Sequence, residues 1–153
     1  MIPRENTIKI ERYDNDRHRD AVMGLWREMF GYTDARNDPG FAIDKKIVVG
    51  DGLFWVALCD GAVVGTVMAG YDGHRGWIYS MAVRSQQQHQ GVGSALLLHA
   101  EQALAALGCV KINLQIMGGN EAVQAFYLAN GFAVENRISM GKQIKENVSK
   151  FPG

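Results

Sequence analysis

Three consecutive pieces of the chain decide the fold: Trp77-Ile78-Tyr79-Ser80-Met81-Ala82-Val83, then Arg84-Ser85-Gln86-Gln87, then Gln88-His89-Gln90-Gly91-Val92-Gly93-Ser94. The first reads as a strand, an apolar-rich run that follows a polar turn at Asp72 to Gly76. The last opens a long helix, Gly91 to Leu107, with Leu96, Ala100, Ala103, Leu104 and Leu107 on one face and Gly108 just past its end. The joint between them holds two glycines, which let a ligand approach the backbone with no Cβ in the way. The first turn of a helix also leaves about four N–H groups without internal acceptors, at the positive end of the helix dipole. Together these features make an anion site that needs no lysine or arginine. Taken alone, glycines here equally suit any strand-to-helix turn.

Upstream, Leu53 to Cys59 and Val63 to Tyr71 are two further strands. Asp60-Gly61 between them is a tight hairpin signal, because both residues tolerate positive φ. With Trp77 to Val83 they form an antiparallel meander. Thr7 to Tyr13 alternates apolar and polar residues as a half-buried strand does. Asp14, Asn15 and Asp16 supply the cap of a first helix, on which Val22, Leu25, Trp26, Met29 and Phe30 recur at helical spacing before Gly31 stops it. Phe41 to Val49 is a second, short helix. Downstream, Val110 to Ile116 alternates as a strand, Asn120 caps a last helix reaching Asn130, and Phe132 to Ile144 reads as two short strands or one broken one. The pattern is an α+β fold, an α/β/α sandwich with a mixed, mostly antiparallel sheet of about six to seven strands and about four helices. It occupies residues 1–153 as a single domain, with 145–153 a frayed tail.

Composition removes several function classes. Sixteen basic and sixteen acidic residues cancel, which gives no electrostatic reason to expect nucleic acid or an anionic membrane as partner. No apolar stretch reaches the ~18 residues of a membrane span, and Met1 to Glu11 is not a signal peptide. The expectation is a cytoplasmic protein. Cys59 and Cys109 both lie in or beside apolar runs and read as buried free thiols. The turn at Gln88 lacks the Gly-Lys-Ser/Thr ending of a P-loop, and its glycine spacing departs from the dinucleotide fingerprint. A nucleotide-binding regulatory domain is disfavoured on both counts.

The order of elements and the turn together bring a family into view. Gln88-x-x-Gly91-x-Gly93 resembles the pyrophosphate motif of the GNAT superfamily of N-acetyltransferases, [Arg/Gln]-x-x-Gly-x-[Gly/Ala]. Asn120, Ala122, Tyr127, Gly131 and Phe132 resemble its second motif, a helix ending in Tyr and Gly-Phe. Met81-Ala82-Val83-Arg84 is similar to the family's lead-in to the turn, and Tyr71 to Gly76 is most similar to small bacterial YpeA-like members. The resemblance covers nearly the whole chain.

The resemblance implies a GNAT acyl-CoA N-acyltransferase fold and transfer of acetyl from acetyl-CoA to a primary amine, by direct attack in a ternary complex. It implies that the strand is splayed from its next neighbour by a bulge. The backbone of Met81, Ala82 and Val83 would meet the pantetheine arm and polarise the thioester carbonyl. The N–H groups of Gln88, His89, Gln90, Gly91, Val92, Gly93 and Ser94 would hold the pyrophosphate. Tyr127 takes the place of the general acid that protonates the departing thiolate, against a plain packing role beside Phe126. Asn120 would contact the coenzyme or simply cap its helix. No metal is implied, and a homodimer through the last strands is a common family arrangement.

The general base has no obvious residue. Trp77 to Val83 contains no carboxylate, and Val110 to Ile116 offers only Asn113 and Gln115. His74, Asp72 and Tyr79 are the nearest alternatives; His89 and His99 read as a turn residue and a solvated helix face. The acceptor wall is expected near Phe30 to Phe41 and the Asp72 to Gly76 turn, with Phe30, Tyr32 and Trp77 as aromatics, Trp26 as a candidate better read as core packing, and Asp34 and Asp38 as charges or plain loop residues. The missing carboxylate keeps a second reading open, a non-catalytic acyl-CoA-binding sensor.

Overall fold

In the computed structural model, residues 7–31 and 38–144 are described. The chain divides into two compact units, Met1–Met117 and Gly118–Gly153.

The first unit is built on a sheet of five strands in the order β1-β2-β3-β4-β5: β1 (Ile8–Arg12), β2 (Phe54–Cys59), β3 (Ala62–Tyr71), β4 (Gly76–Val83) and β5 (Ile112–Asn113). The first four pair antiparallel, and β5 runs parallel to β4. The hairpin between β2 and β3 turns on Asp60 and Gly61, both at positive φ (50° and 82°), the conformation a two-residue turn demands. Helices α1 (Asn15–Phe30), α2 (Pro39–Val49) and α3 (Val92–Ala106) complete the unit.

Capping follows the residues expected to supply it. Asp14 accepts hydrogen bonds from Asp16 N and Arg17 N, and Gly31 closes α1 in the left-handed conformation. Helix α2 begins at Pro39, two residues earlier than its apolar pattern suggests. Proline fits the first helical position, and Asp38 caps it through Gly40 N.

Neighbouring residues of β2 show which helix covers which face, since successive side chains on a strand point to opposite sides. Phe54 stacks between Tyr13 and Trp26 on the α1 side, whereas Trp55 meets His99 of α3 edge-on at 5.4 Å. On the α1 and α2 side, Val22, Leu25, Trp26, Ile43, Phe54, Val56, Met68 and Ala82 form one core cluster. On the other side, Val92, Leu96, Leu97, Ala100 and Leu104 bury the face of α3. Leu107, expected on that face, is exposed, because the helix ends at Ala106. His99 is half-buried against Trp55 rather than solvated.

In the second unit, α4 (Glu121–Ala129) is capped by Asn120, whose side chain accepts from Val123 N. Gly131 at φ 91° ends it. The sheet has five strands among the described residues instead of six to seven, for two reasons. Phe132–Ile144 carries no strand, and an extended segment becomes one only where a neighbour completes its ladder. Likewise the expected Val110–Ile116 strand is reduced to Ile112 and Asn113, which pair with Gly76 and Trp77 at the start of β4.

Candidate active site

Two features of β4 set the geometry. Its pairing with β5 stops at Trp77, so the edge of Tyr79–Val83 has no β5 partner among the described residues. In addition, β3 advances two residues from Thr66 to Met68 while β4 advances three between their partners Ala82 and Tyr79. The extra residue makes a β-bulge, with Ser80 at φ 51°, a left-handed backbone unusual for a residue other than glycine. A bulge bends its strand and re-aims the groups that follow it, here Met81, Ala82 and Val83.

The bulge is braced from below. Trp26 Nε1 donates to Thr66 Oγ1 at 2.8 Å, and Thr66 Oγ1 donates to Ser80 O at 2.9 Å. Trp26 and Thr66 are both fully buried, so this relay satisfies an indole N–H, a hydroxyl and a strained carbonyl in one chain. Trp26 is therefore core and not acceptor wall. Thr66 escaped the sequence reading because it sits in an apolar run; the signal was a lone hydroxyl residue among Val63 to Met68.

After β4 the chain makes a single 3-10 turn, Ser85–Gln87, and reaches the glycine turn. Gln88 Nε2 donates to Val83 O at 3.1 Å, folding the turn against the strand end. His89 and Gly91 take φ of 64° and 85°. The first helical bond of α3 runs from Ala95 N to Gly91 O. The N–H groups of Val92, Gly93 and Ser94 thus have no acceptor inside the helix, and no side chain caps it. A Cβ built on Gly91 meets nothing within 4 Å, so the space beside this N-terminus is open. An uncapped helix start with room beside it fits a pyrophosphate.

Tyr127 lies on α4 in the second unit, 7% exposed, between the rings of Phe126 and Phe132 at 4.9 and 5.5 Å. Desolvation pushes its phenol up to about 12, which keeps the hydroxyl protonated. Asn120 is the cap of the same helix.

Two of the three residues considered as a base are committed elsewhere. Asp72 accepts from the backbone N–H groups of Arg75 and His74 and from Trp77 Nε1. Those bonds hold its carboxyl below the usual range, so it organises the turn. His74 is an exposed turn residue. Tyr79 Oη accepts from Lys46 Nζ at 2.7 Å. Lys46 is itself buried and also donates to Asp51 Oδ2 and Ala69 O, at 2.9 and 2.5 Å. The sequence reading passed over Lys46. Its signal was a charge at a core position of α2, three residues after the buried Ile43. Asn113 accepts from Arg75 Nη1 at 3.1 Å. Among the acceptor-wall candidates, Phe30 and Trp77 are partly exposed, and Asp38 caps α2. Tyr32 and Asp34 lie outside the described residues. No group of three or more metal-ligating side chains occurs among the described residues.

Comparison with known proteins decides what this geometry belongs to. A profile of the acetyltransferase (GNAT) family matches residues 19–132. The chain belongs to the GNAT family. It is an acetyl-CoA-dependent acyltransferase with a GNAT fold, as the two motifs implied. An acetyltransferase of Sodalis glossinidius is 36% identical over 141 residues, covering 92% of this chain and 96% of its own. One of Pectobacterium atrosepticum is 36% identical over 140 residues, covering 92% and 96%. Among solved structures, an aminoglycoside N-acetyltransferase in complex with CoA superposes with a TM-score of 0.77 at 19% identity, over 94% of this chain and 99% of that one. The PaiA N-acetyltransferase of Thermoplasma acidophilum, in complex with coenzyme A, gives 0.73 at 17%, over 86% and 93%. No helix among the described residues is long and apolar enough to cross a membrane.

Proposed function

We propose that this GNAT protein moves an acetyl group from acetyl-CoA to a primary amine by direct attack, with no acyl-enzyme. The observation that carries the reading is the uncapped start of α3 beside open space at Gly91, next to a β4 edge free of β5. In this reading the N–H groups of Val92, Gly93 and Ser94 hold the pyrophosphate, and the backbone of Met81 to Val83 meets the pantetheine arm. The bulge at Ser80 aims a backbone N–H at the thioester oxygen, where negative charge grows as the amine nitrogen bonds to the carbonyl carbon. The C–S bond then breaks and the departing thiolate takes up a proton, a role that the second family motif assigns to the protonated Tyr127 hydroxyl. The amine proton leaves to solvent, since no carboxylate lies on β4 or β5.

Direct transfer is favoured over an acyl-cysteine by where the thiols stand. Cys59 is buried on β2, paired with Ile8 and two strands from β4. Cys109, half-buried rather than buried as expected, donates a hydrogen bond from its thiol to Lys111 O. Relatives named acetyltransferases, 36% identical across nearly the whole chain, support catalysis over a sensor that binds without reacting.

Free-thiol release from acetyl-CoA, followed across a panel of amines with wild type and Tyr127→Phe, tests this. Amine-dependent release that falls about 100-fold in the variant, with coenzyme A affinity kept, is the expected result. Thermal stabilisation by coenzyme A without turnover on any amine contradicts catalysis. Turnover unaffected by Tyr127→Phe removes the acid.

A further inference from the structure

The face of β4 that carries Trp77 and Tyr79 holds a hydrogen-bond donor with no well-placed acceptor among the described residues. Strand alternation puts both rings on the α2 side, where Tyr79 lies over Gly70 and meets Lys46. Lys46 has three N–H donors, and Asp51, Ala69 and Tyr79 take all of them. It therefore has nothing left for a ligand, and its charge reaches outward only through the Tyr79 oxygen. Among the described residues the phenol's own O–H has one acceptor, Ala69 O at 3.4 Å. That is beyond the 2.5–3.0 Å of a normal O–H···O bond, and Lys46 already occupies that oxygen at 2.5 Å. A hydroxyl that accepts from an ammonium becomes a stronger donor in turn. This polarised donor is 42% exposed and immediately precedes Ser80, the bulged residue of the strand.

We propose that Tyr79 Oη binds an oxygen carried by the acceptor close to its reacting amine. That makes the preferred acceptor an α-amino carbonyl compound, a class in which the oxygen is a free carboxylate or an amide carbonyl. Lys46 is a positioning residue, which fixes the phenol and strengthens its O–H. The inference rests on the acetyl-transfer reading and deepens it by naming the acceptor's chemistry. A clamp that merely ties α2 to the sheet needs no spare donor, and Lys46 with Asp51 and Ala69 already makes one.

The test uses acceptors in matched sets: an amino acid, its amide, and the amine left when the carboxyl group is removed. The quantity read is the ratio of kcat/KM with the oxygen to kcat/KM without it. Wild type is expected to give a ratio of about ten or more, because a site built around a hydrogen bond rejects the analogue lacking it. Tyr79→Phe, which keeps the ring over Gly70, is expected to bring the ratio near one, mainly through KM. A carboxylate favoured over the amide identifies an anionic partner, and equal values identify the carbonyl; either supports the proposal. A wild-type ratio near one, with good turnover, overturns the inference and leaves acetyl transfer standing. So does a Tyr79→Phe variant that slows all three acceptors equally. Absence of thiol release with every amine overturns the acetyl-transfer reading beneath it. Lys46→Met is read alongside wherever it remains folded by circular dichroism, and collapse of its ratio without loss of coenzyme A affinity assigns the positioning role.

Discussion

The turn at Gln88–Ser94 and the face around Lys46 and Tyr79 both belong to the first unit, yet they are made of different material. At the turn, what the protein offers is backbone: N–H groups freed by a helix start and left open because Gly91 has no side chain. Around Lys46 it offers side-chain atoms, locked by four short bonds to one ammonium and its neighbours. A backbone site survives most substitutions and fails when something fills its space. A side-chain site fails when one atom is lost, and a buried one takes stability with it. The two regions should therefore separate binding from folding.

Lys46→Met is expected to show the largest effect on stability. It leaves the Tyr79 and Ala69 oxygens without their charged donor, each such bond being worth about 1.5–3 kcal/mol, while the exposed Asp51 keeps water as a partner. Denaturant unfolding measures it, and a loss below about 1 kcal/mol would show that the cluster is looser than its distances imply.

Thr66→Val comes next. It removes the partner of Trp26 Nε1, a buried group worth about 1–3 kcal/mol when unpaired, and of the half-buried Ser80 O. Because the bulge is what aims Met81 to Val83, kcat should fall about tenfold as well. Thr66→Ser keeps the hydroxyl and should restore most of kcat. If a core variant matched in Tm, such as Leu104→Ala, slows the enzyme equally, the brace has no role beyond stability.

The smallest effect is the pH dependence set by Tyr127. Its phenol is raised from 10.0 to about 12, so the folded chain holds that proton more tightly than the unfolded chain. The resulting stability is complete below about pH 10 and is lost as pH rises toward 12. Tyr127→Phe should shrink this alkaline loss without abolishing it, because Tyr13 is raised to about 12 as well. Unfolding midpoints compared across the alkaline range check it; identical slopes would show that Tyr127 is not desolvated.

How far the sequence could be read follows the same division. Periodicity, caps and the Asp60-Gly61 turn are local properties, so the meander, the four helices and the glycine turn were legible. Gly91-x-Gly93 advertises a backbone site because glycine is the residue such a site requires. The bulge was not legible from its own strand, since Ser80 carries no mark of positive φ and depends on Thr66 and Trp26, 14 and 40 residues apart from their bonded partners. Lys46 and Tyr79 stand 33 residues apart, and nothing short of the sheet register brings them together. Leu114–Ile116 alternates like a strand yet lies beyond the end of β5, because alternation reports two faces and says nothing about which neighbour is present.

In the proposed reading the helix start at Gly91 holds coenzyme A through its backbone. Calorimetric titration of coenzyme A into Gly91→Glu tests it most directly. The substitution puts a carboxylate into open space where the pyrophosphate would lie, and its left-handed backbone costs folding only about 1–2 kcal/mol. A folded variant whose affinity for coenzyme A has fallen at least 100-fold is the expected result. A dissociation constant equal to that of wild type would contradict it.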